Sequence, residues 1–338
     1  EWIVRCGGIV MQEYELKILD RYALNVKSTR RVRGAFFCEA EEGLFLLKEA
    51  GISEKRADAL YKLGEMLIAA GYRGIDQLKP NVEGGLVTVS EEGGRYLLKR
   101  WFSARECDAR RTRELMMGAK NLARLHLLMR EPTDGVTMQD ESLKQIYERH
   151  NRELRKVRSF VRSRRTKDEF ELRFLQEYEG LYQWAEIAME VLLESRCEEL
   201  YQDSLRERVM VHGEYNYHNI LICTDGIATT NFEKFRIHVQ MEDFYYFLRK
   251  TMEKHEWDAR LFDHMMNAYS AICPVTDREM EYLKARFIYP EKFWKIAGSY
   301  YKSNKAWTSV KNVEKFQMSV SQMKEKEKLL EEIFGFHR

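Results

Sequence analysis

Residues 211–221 read VHGEYNYHNIL, and residues 230–235 read TNFEKF. Glu214 and Asn219 stand five apart in a turn-rich stretch, and Asn231 follows a short turn at Asp225-Gly226. A hairpin-like path would bring this carboxylate and these two amides towards one another. Phosphoryl transfer uses such a trio: a carboxylate orients or deprotonates the attacking hydroxyl, and an amide and a carboxylate hold the Mg2+ ions that bridge the phosphates.

The sequence before this segment is rich in β signals. Residues 31–40 (RVRGAFFCEA) and 44–48 (LFLLK) flank Glu41-Glu42-Gly43, which reads as a hairpin. Residues 23–27 offer an earlier strand. Ser53 caps a helix running to about Ala70 and stopped by Gly71. Residues 85–89 and 95–101 form a second hairpin around a Glu-Glu-Gly-Gly turn.

After Trp101 the pattern becomes helical. Residues 110–129 place Leu115, Leu122, Leu125 and Leu128 on one stripe, with His126 as a packed core histidine. Residues 140–165 and 167–194 read as an αα-hairpin, and helices resume at Met241 with breaks near Pro274 and Pro290. The expected class is therefore α+β. A small lobe at 11–100 holds an antiparallel sheet and one helix. A larger, mainly helical lobe at 101–338 contains the irregular segment 209–235.

Composition narrows the function classes. With 44% hydrophobic and 33% charged residues the chain is globular rather than disordered. Its 56 basic and 54 acidic residues nearly cancel, which argues against a polycationic nucleic-acid or membrane binder. The most basic stretch, 149–167, carries nine Arg or Lys against one Glu. It is expected to be neutralised by the acidic helix that follows, and nucleic-acid binding through it is the distant alternative. No apolar run approaches the roughly 18 residues of a membrane helix. The six cysteines form no C-x-x-C pair, which excludes zinc ribbons and thioredoxin motifs and suggests reduced thiols in a cytoplasmic protein. Residues 1–10 precede Met11, so an upstream extension and an ordinary N-terminal arm are equal expectations. The aromatic residues Phe287, Tyr289, Phe293, Trp294, Tyr300, Tyr301 and Trp307 are expected to pack helices.

The element H-G-E-x-x-x-x-N-I-L followed by N-F-E resembles the H-G-D-x-x-x-x-N and D-F/W-x pair of the aminoglycoside phosphotransferase and choline kinase superfamily. Within it, the chain resembles the CotS family of bacterial spore coat proteins. Residues 31–48, 96–108 (YLLKRWFSARECD), 122–126 (LARLH), 242–250 (EDFYYFLRK) and 289–295 (YPEKFWK) support this. The resemblance implies a bilobal protein-kinase-like fold with ATP between the lobes, bound Mg2+, and deposition on the spore coat. Its partners would be coat proteins or a small-molecule acceptor. It puts Glu214 at the catalytic base, Asn219 and Asn231 at the metal ligands, and Lys48 at the phosphate-binding lysine, with Lys99 the competitor. Glu65 is the nearest acidic helix partner for Lys48. His212 braces the catalytic loop, and Asp243 opens a helix behind the site.

Two positions depart from the family pattern. Glu214 replaces an aspartate and carries its carboxylate one methylene further out, and about 1 Å of misplacement can cost about 10²-fold in rate. Asn231 replaces a second aspartate and removes a negative charge from a site for a hard cation. In a strand Glu233 would share a face with Asn231 and could reach in instead. Where a glycine-rich loop would cover the phosphates, residues 28–34 (STRRVRG) offer Arg30, Arg31 and Arg33. The expectation is a kinase-like, spore-coat-associated protein whose ATP and Mg2+ binding is weak and whose phosphoryl transfer is weak or absent. The alternative is an active small-molecule kinase.

Overall fold

Residues 26–49 make three antiparallel strands, β1 (Val26–Val32), β2 (Ala35–Ala40) and β3 (Gly43–Glu49). The structure is a computed structural model that describes residues 17–32, 34–131, 133, 136, 138–303 and 310–337. The β2–β3 turn falls at Glu41-Glu42, and Gly43 takes φ +133°, a value a side chain would resist. Helix α1 (Glu54–Ala69) follows, its first turn closed by the Ser53 hydroxyl, which accepts from the Arg56 N–H. β4 (Thr88–Val89) and β5 (Arg95–Arg100) complete a sheet ordered β1-β2-β3-β5-β4. One face buries Phe36, Cys38, Phe45, Leu47 and Leu98 against Ile18, Leu19 and Tyr22.

Two readings of this sheet need correction. Residues 28–32, expected in a phosphate-covering loop, are strand β1, paired residue by residue with β2. This strand lies at the edge of the sheet, where charged side chains are tolerated because one flank faces water. Arg30 and Arg31 lie over the rings of Phe37 and Phe36, at 4.6 and 5.7 Å. Arg33 lies outside the described residues. The second hairpin is also shorter than expected, since only Thr88 and Val89 pair with β5.

Backbone contacts divide the chain into two compact units. The first takes the residues up to Met138 together with Arg208–Ile237. It therefore includes β6 (Ala104–Glu106), α2 (Thr112–Leu128), β7 (Met210–Val211), β8 (Ile220–Cys223), β9 (Gly226–Thr229) and β10 (Arg236–Ile237). Thus 209–235 groups with the N-terminal sheet, although the sequence changes character at Trp101. The reason is pairing: β6 joins β8, β8 joins β9, and Ile75 bridges Thr229. On α2, Leu115, Leu122, Leu125 and His126 are fully buried.

The second unit is Gln139–Glu207 with the residues from His238 onward. It is built from α3 (Leu143–Ser163), α4 (Glu169–Glu194), α5 (Cys197–Arg206), α6 (Met241–Met252), α7 (Ala259–Ser270), α8 (Asp277–Ile288), α9 (Glu291–Lys302) and α10 (Val310–Phe334). Capping boxes at Ser142/Gln145 and Asp168/Glu171 start α3 and α4. Val157 and Val161 pack with Phe170, Phe174, Phe293 and Phe316 in its core. Arg158 and Arg164 of the basic stretch pair with Glu179 and Glu171 of α4, and Arg155 donates to the Tyr182 hydroxyl, so α4 neutralises part of the stretch. Phe287, Tyr289, Phe293 and Tyr300 are buried, whereas Tyr301 is 45% exposed and so is not core. Trp307 lies outside the described residues. Among the described residues no helix is long and apolar enough to cross a membrane.

Candidate functional site

The 212–219 loop is held by its own polar groups. His212 is fully buried; its Nε2 lies 3.0 Å from the Thr230 carbonyl and its Nδ1 accepts from the Glu214 N–H at 3.1 Å. A ring that accepts at Nδ1 carries its proton at Nε2, so the imidazole ties the loop to the residue that follows β9. The side chains of Asn216 and Asn219 both donate to the Glu214 carbonyl at 2.9 Å. Gly213 sits at φ +85°, where a Cβ would lie 2.2 Å from the Lys234 carbonyl oxygen. Gly213→Ala should therefore lose more than the ~1–2 kcal/mol of a left-handed residue alone. Chemical denaturation of the two proteins measures this.

The trio converges in part. Asn231, at φ +65°, takes a left-handed conformation that asparagine adopts more readily than most residues. Its backbone N–H donates to Asp76 Oδ2 at 2.8 Å, and its Nδ2 donates to Asn219 Oδ1 at 2.9 Å. The two amides expected to hold a metal thus hold each other. The Glu214 carboxylate is turned to Lys234 Nζ, 3.0 Å away, at a partly exposed position.

Beside this pair lies a charge cluster. β3 and β5 pair Lys48 with Leu97 and Leu46 with Lys99, so the two lysines are diagonal neighbours on one face of the sheet. Both reach the same oxygen, Glu233 Oε1, at 2.8 Å, and Lys99 also bonds Asp76 Oδ2 at 2.8 Å. Lys99 is fully buried, whereas the Lys48 side chain keeps 30% exposure. Burial opposes ionisation of Glu233, but Lys99 and Lys48 outweigh it and hold the carboxyl well below its usual range. Burial pushes the Asp76 carboxyl up, against the pull of Lys99. The Lys99 ammonium is disfavoured by burial but held up by Asp76 and Glu233.

Glu65 is not the partner of Lys48; it accepts from Gln77 Nε2 at 3.1 Å. The α1 residue that reaches the cluster is Arg56. Its guanidinium donates to the Glu233 carbonyl at 2.8 and 3.0 Å, donates to the Phe235 carbonyl, and stacks over the Phe235 ring. Asp243 is buried in the first turn of α6, in the second unit. Sequence reasoning missed Asp76, Arg56 and Asn216. Asp76 is a lone acid in GIDQL with no motif around it, and the spacing N-Y-H-N was the available signal for Asn216.

The donor set does not suit a divalent cation. Mg2+ favours anionic oxygens, yet Asn219 Oδ1 is engaged by Asn231 and Glu233 is neutralised by two ammonium groups. Among the described residues no three His, Cys, Asp or Glu side chains cluster as a metal site would need. The Lys48 ammonium is the partly exposed cation of the cluster.

The sequence matches one family model, described as "Spore coat putative kinase YutH", over residues 15–333, and the chain belongs to that family. No curated protein matches it in sequence. Among solved structures it is similar to an aminoglycoside phosphotransferase from Alicyclobacillus acidocaldarius, with TM-score 0.83 and 14% identity over 98% of this chain and 97% of that one. Spectinomycin phosphotransferase APH(9)-Ia in its AMP-bound complex gives TM-score 0.63 and 11% identity over 96% of this chain and 98% of that one. The amicoumacin kinase hAmiN, with AMP-PNP, Ca2+ and Ami, gives 0.54 and 13% over 95% and 94%. At such identities the likeness establishes the fold, which is the α+β, bilobal protein-kinase-like one expected.

Proposed function

We propose that this family member is a kinase-like component of the spore coat that binds a nucleotide through Lys48 and transfers its phosphoryl group slowly or not at all. The observation that carries this reading is the hydrogen bond from the Asn231 side-chain amide to that of Asn219, where two metal ligands are expected. Phosphoryl transfer depends on positioning and charge neutralisation. Here the nearby carboxylates are spent on the protein's own cations: Glu233 on Lys48 and Lys99, and Glu214 on Lys234. On this reading Lys48, the partly exposed cation of the cluster, is the residue that meets the nucleotide's phosphates. The kinase-like structures that carry nucleotides support a nucleotide as the ligand.

The experiment compares the unmodified chain with Lys48→Ala. ATP should stabilise the unmodified chain against heat, and the variant should lose most of that shift. Losing one charge-assisted contact of about 1.5–3 kcal/mol corresponds to roughly 10- to 150-fold in affinity. Glu233 keeps Lys99, so the variant should still fold. Equal ATP stabilisation of both proteins would remove Lys48 from the site. Rapid ATP consumption with amino alcohols, aminoglycosides or sugars would favour the active-kinase reading.

A further inference from the structure

The second unit contains a cavity lined by residues of α4, α6, the α8–α9 junction, α9 and α10, with Trp257 on the loop after α6. It is partly open to solvent. The walls are largely aromatic, with Tyr245, Trp257, Phe287 and Phe293 among them. Into this apolar setting the fold places three nitrogen donors with unmet capacity. The Trp257 Nε1–H and Arg249 Nε–H are buried and have no hydrogen-bond partner. Lys326, only 6% exposed, donates to the Ile288 and Tyr289 carbonyls at 3.4 and 3.0 Å. Among the described residues no carboxylate lies within 4.0 Å of its Nζ.

Buried donors without partners are costly arrangements, and a bound group that accepts from them is one way to satisfy them. The lining carboxylates are already engaged: Glu253 with Arg249, and Glu291 with Lys295 at 3.1 Å and Arg286 at 3.6 Å. Arg249, Lys292 and Lys326 thus set three cations against two acids. We propose that this cavity binds a small organic carboxylate. Its anionic end would meet Lys326, Arg249 and Trp257, and its flat apolar body would lie against the rings.

Proton linkage gives the proposal a signature. The charged groups around Lys326 are Arg249, Glu253, Arg286, Glu291 and Lys292. Burial, reinforced by Arg249, pushes its ammonium down to about 7. Below that pH the site is already cationic and affinity should be flat. Above it, a proton must enter with the anion, so affinity should fall by up to about tenfold per pH unit.

The test is calorimetric titration of the full chain with benzoate, and with benzyl alcohol as the neutral analogue, from about pH 6 to about pH 9. We expect benzoate to bind and benzyl alcohol not to, with affinity falling above pH 7 and proton uptake visible as buffer-dependent heat. Lys326→Met should abolish binding. Lys326→Arg, whose charge does not titrate in this range, should bind with no fall above pH 7. The proposal is overturned by the absence of benzoate heat, by equal binding of the alcohol, or by benzoate binding that survives Lys326→Met. Loss of binding in both lysine variants, with far-UV dichroism unchanged, would also count against it.

Discussion

Changing Glu214→Asp and Asn231→Asp together should raise ATP hydrolysis by about 10²-fold or more, the scale attached to moving a catalytic group by about 1 Å. Two physical changes act in concert. The shorter side chain at 214 draws the carboxylate back from Lys234, to which it now extends. An aspartate at 231 has no side-chain N–H to donate, which frees Asn219 Oδ1 and adds a negative charge beside it. Mg2+ affinity should rise with hydrolysis, because the added anionic oxygen is what a hard cation seeks. Asn231→Asp alone should improve Mg2+ binding more than turnover, and Glu214→Asp alone should do little without a metal to position. A double variant with unchanged Mg2+ affinity would show that these two positions are not what limits the site.

The second large effect is on stability. Lys99→Met should cost about 3–5 kcal/mol in chemical denaturation, the usual penalty for removing one member of a buried ion cluster. The methionine fills the space, but Asp76 and Glu233 lose their shared cation. Adding Asp76→Asn should recover part of the loss, because an amide oxygen can still accept the Asn231 N–H without carrying charge. Acid should act in the same direction. Burial already raises the Asp76 carboxyl, and without Lys99 it rises further. A raised acid contributes fully below its unfolded pKa, and that contribution is lost as pH rises through the folded value. The deficit of the variant should therefore shrink on acidification towards the unfolded Asp pKa. An equal deficit at all pH values would point to packing rather than charge.

Much of the fold was legible because local signals decide it. The Glu41-Glu42-Gly43 turn sets the β2–β3 hairpin, Ser53 sets the start of α1, and capping boxes set α3 and α4. Residues 28–32 misled because Ser, Thr and Arg read as a loop, while an edge strand accepts them wherever β2 supplies hydrogen bonds. In the site, the spacing of Glu214, Asn219 and Asn231 foretold that the two amides would meet. It could not tell whether they would face a metal or each other, since that depends on the left-handed turn at Asn231. The charge cluster was less legible still. Asp76 and Lys99 are 23 residues apart, and both Lys48 and Arg56 reach Glu233 from more than 170 positions away. Such pairings leave no periodicity in the sequence. Which face of α1 meets the cluster, and hence Arg56 rather than Glu65, is set by tertiary packing.

The account rests most directly on how little Mg2+ matters to nucleotide binding. Titration of the full chain with ATP in EDTA, and again in excess Mg2+, measures that dependence. The amide pair and the neutralised Glu233 predict affinities within about threefold of each other, under 1 kcal/mol. A gain of about a hundredfold on adding Mg2+, together with turnover at ~1–100 s⁻¹, would contradict it.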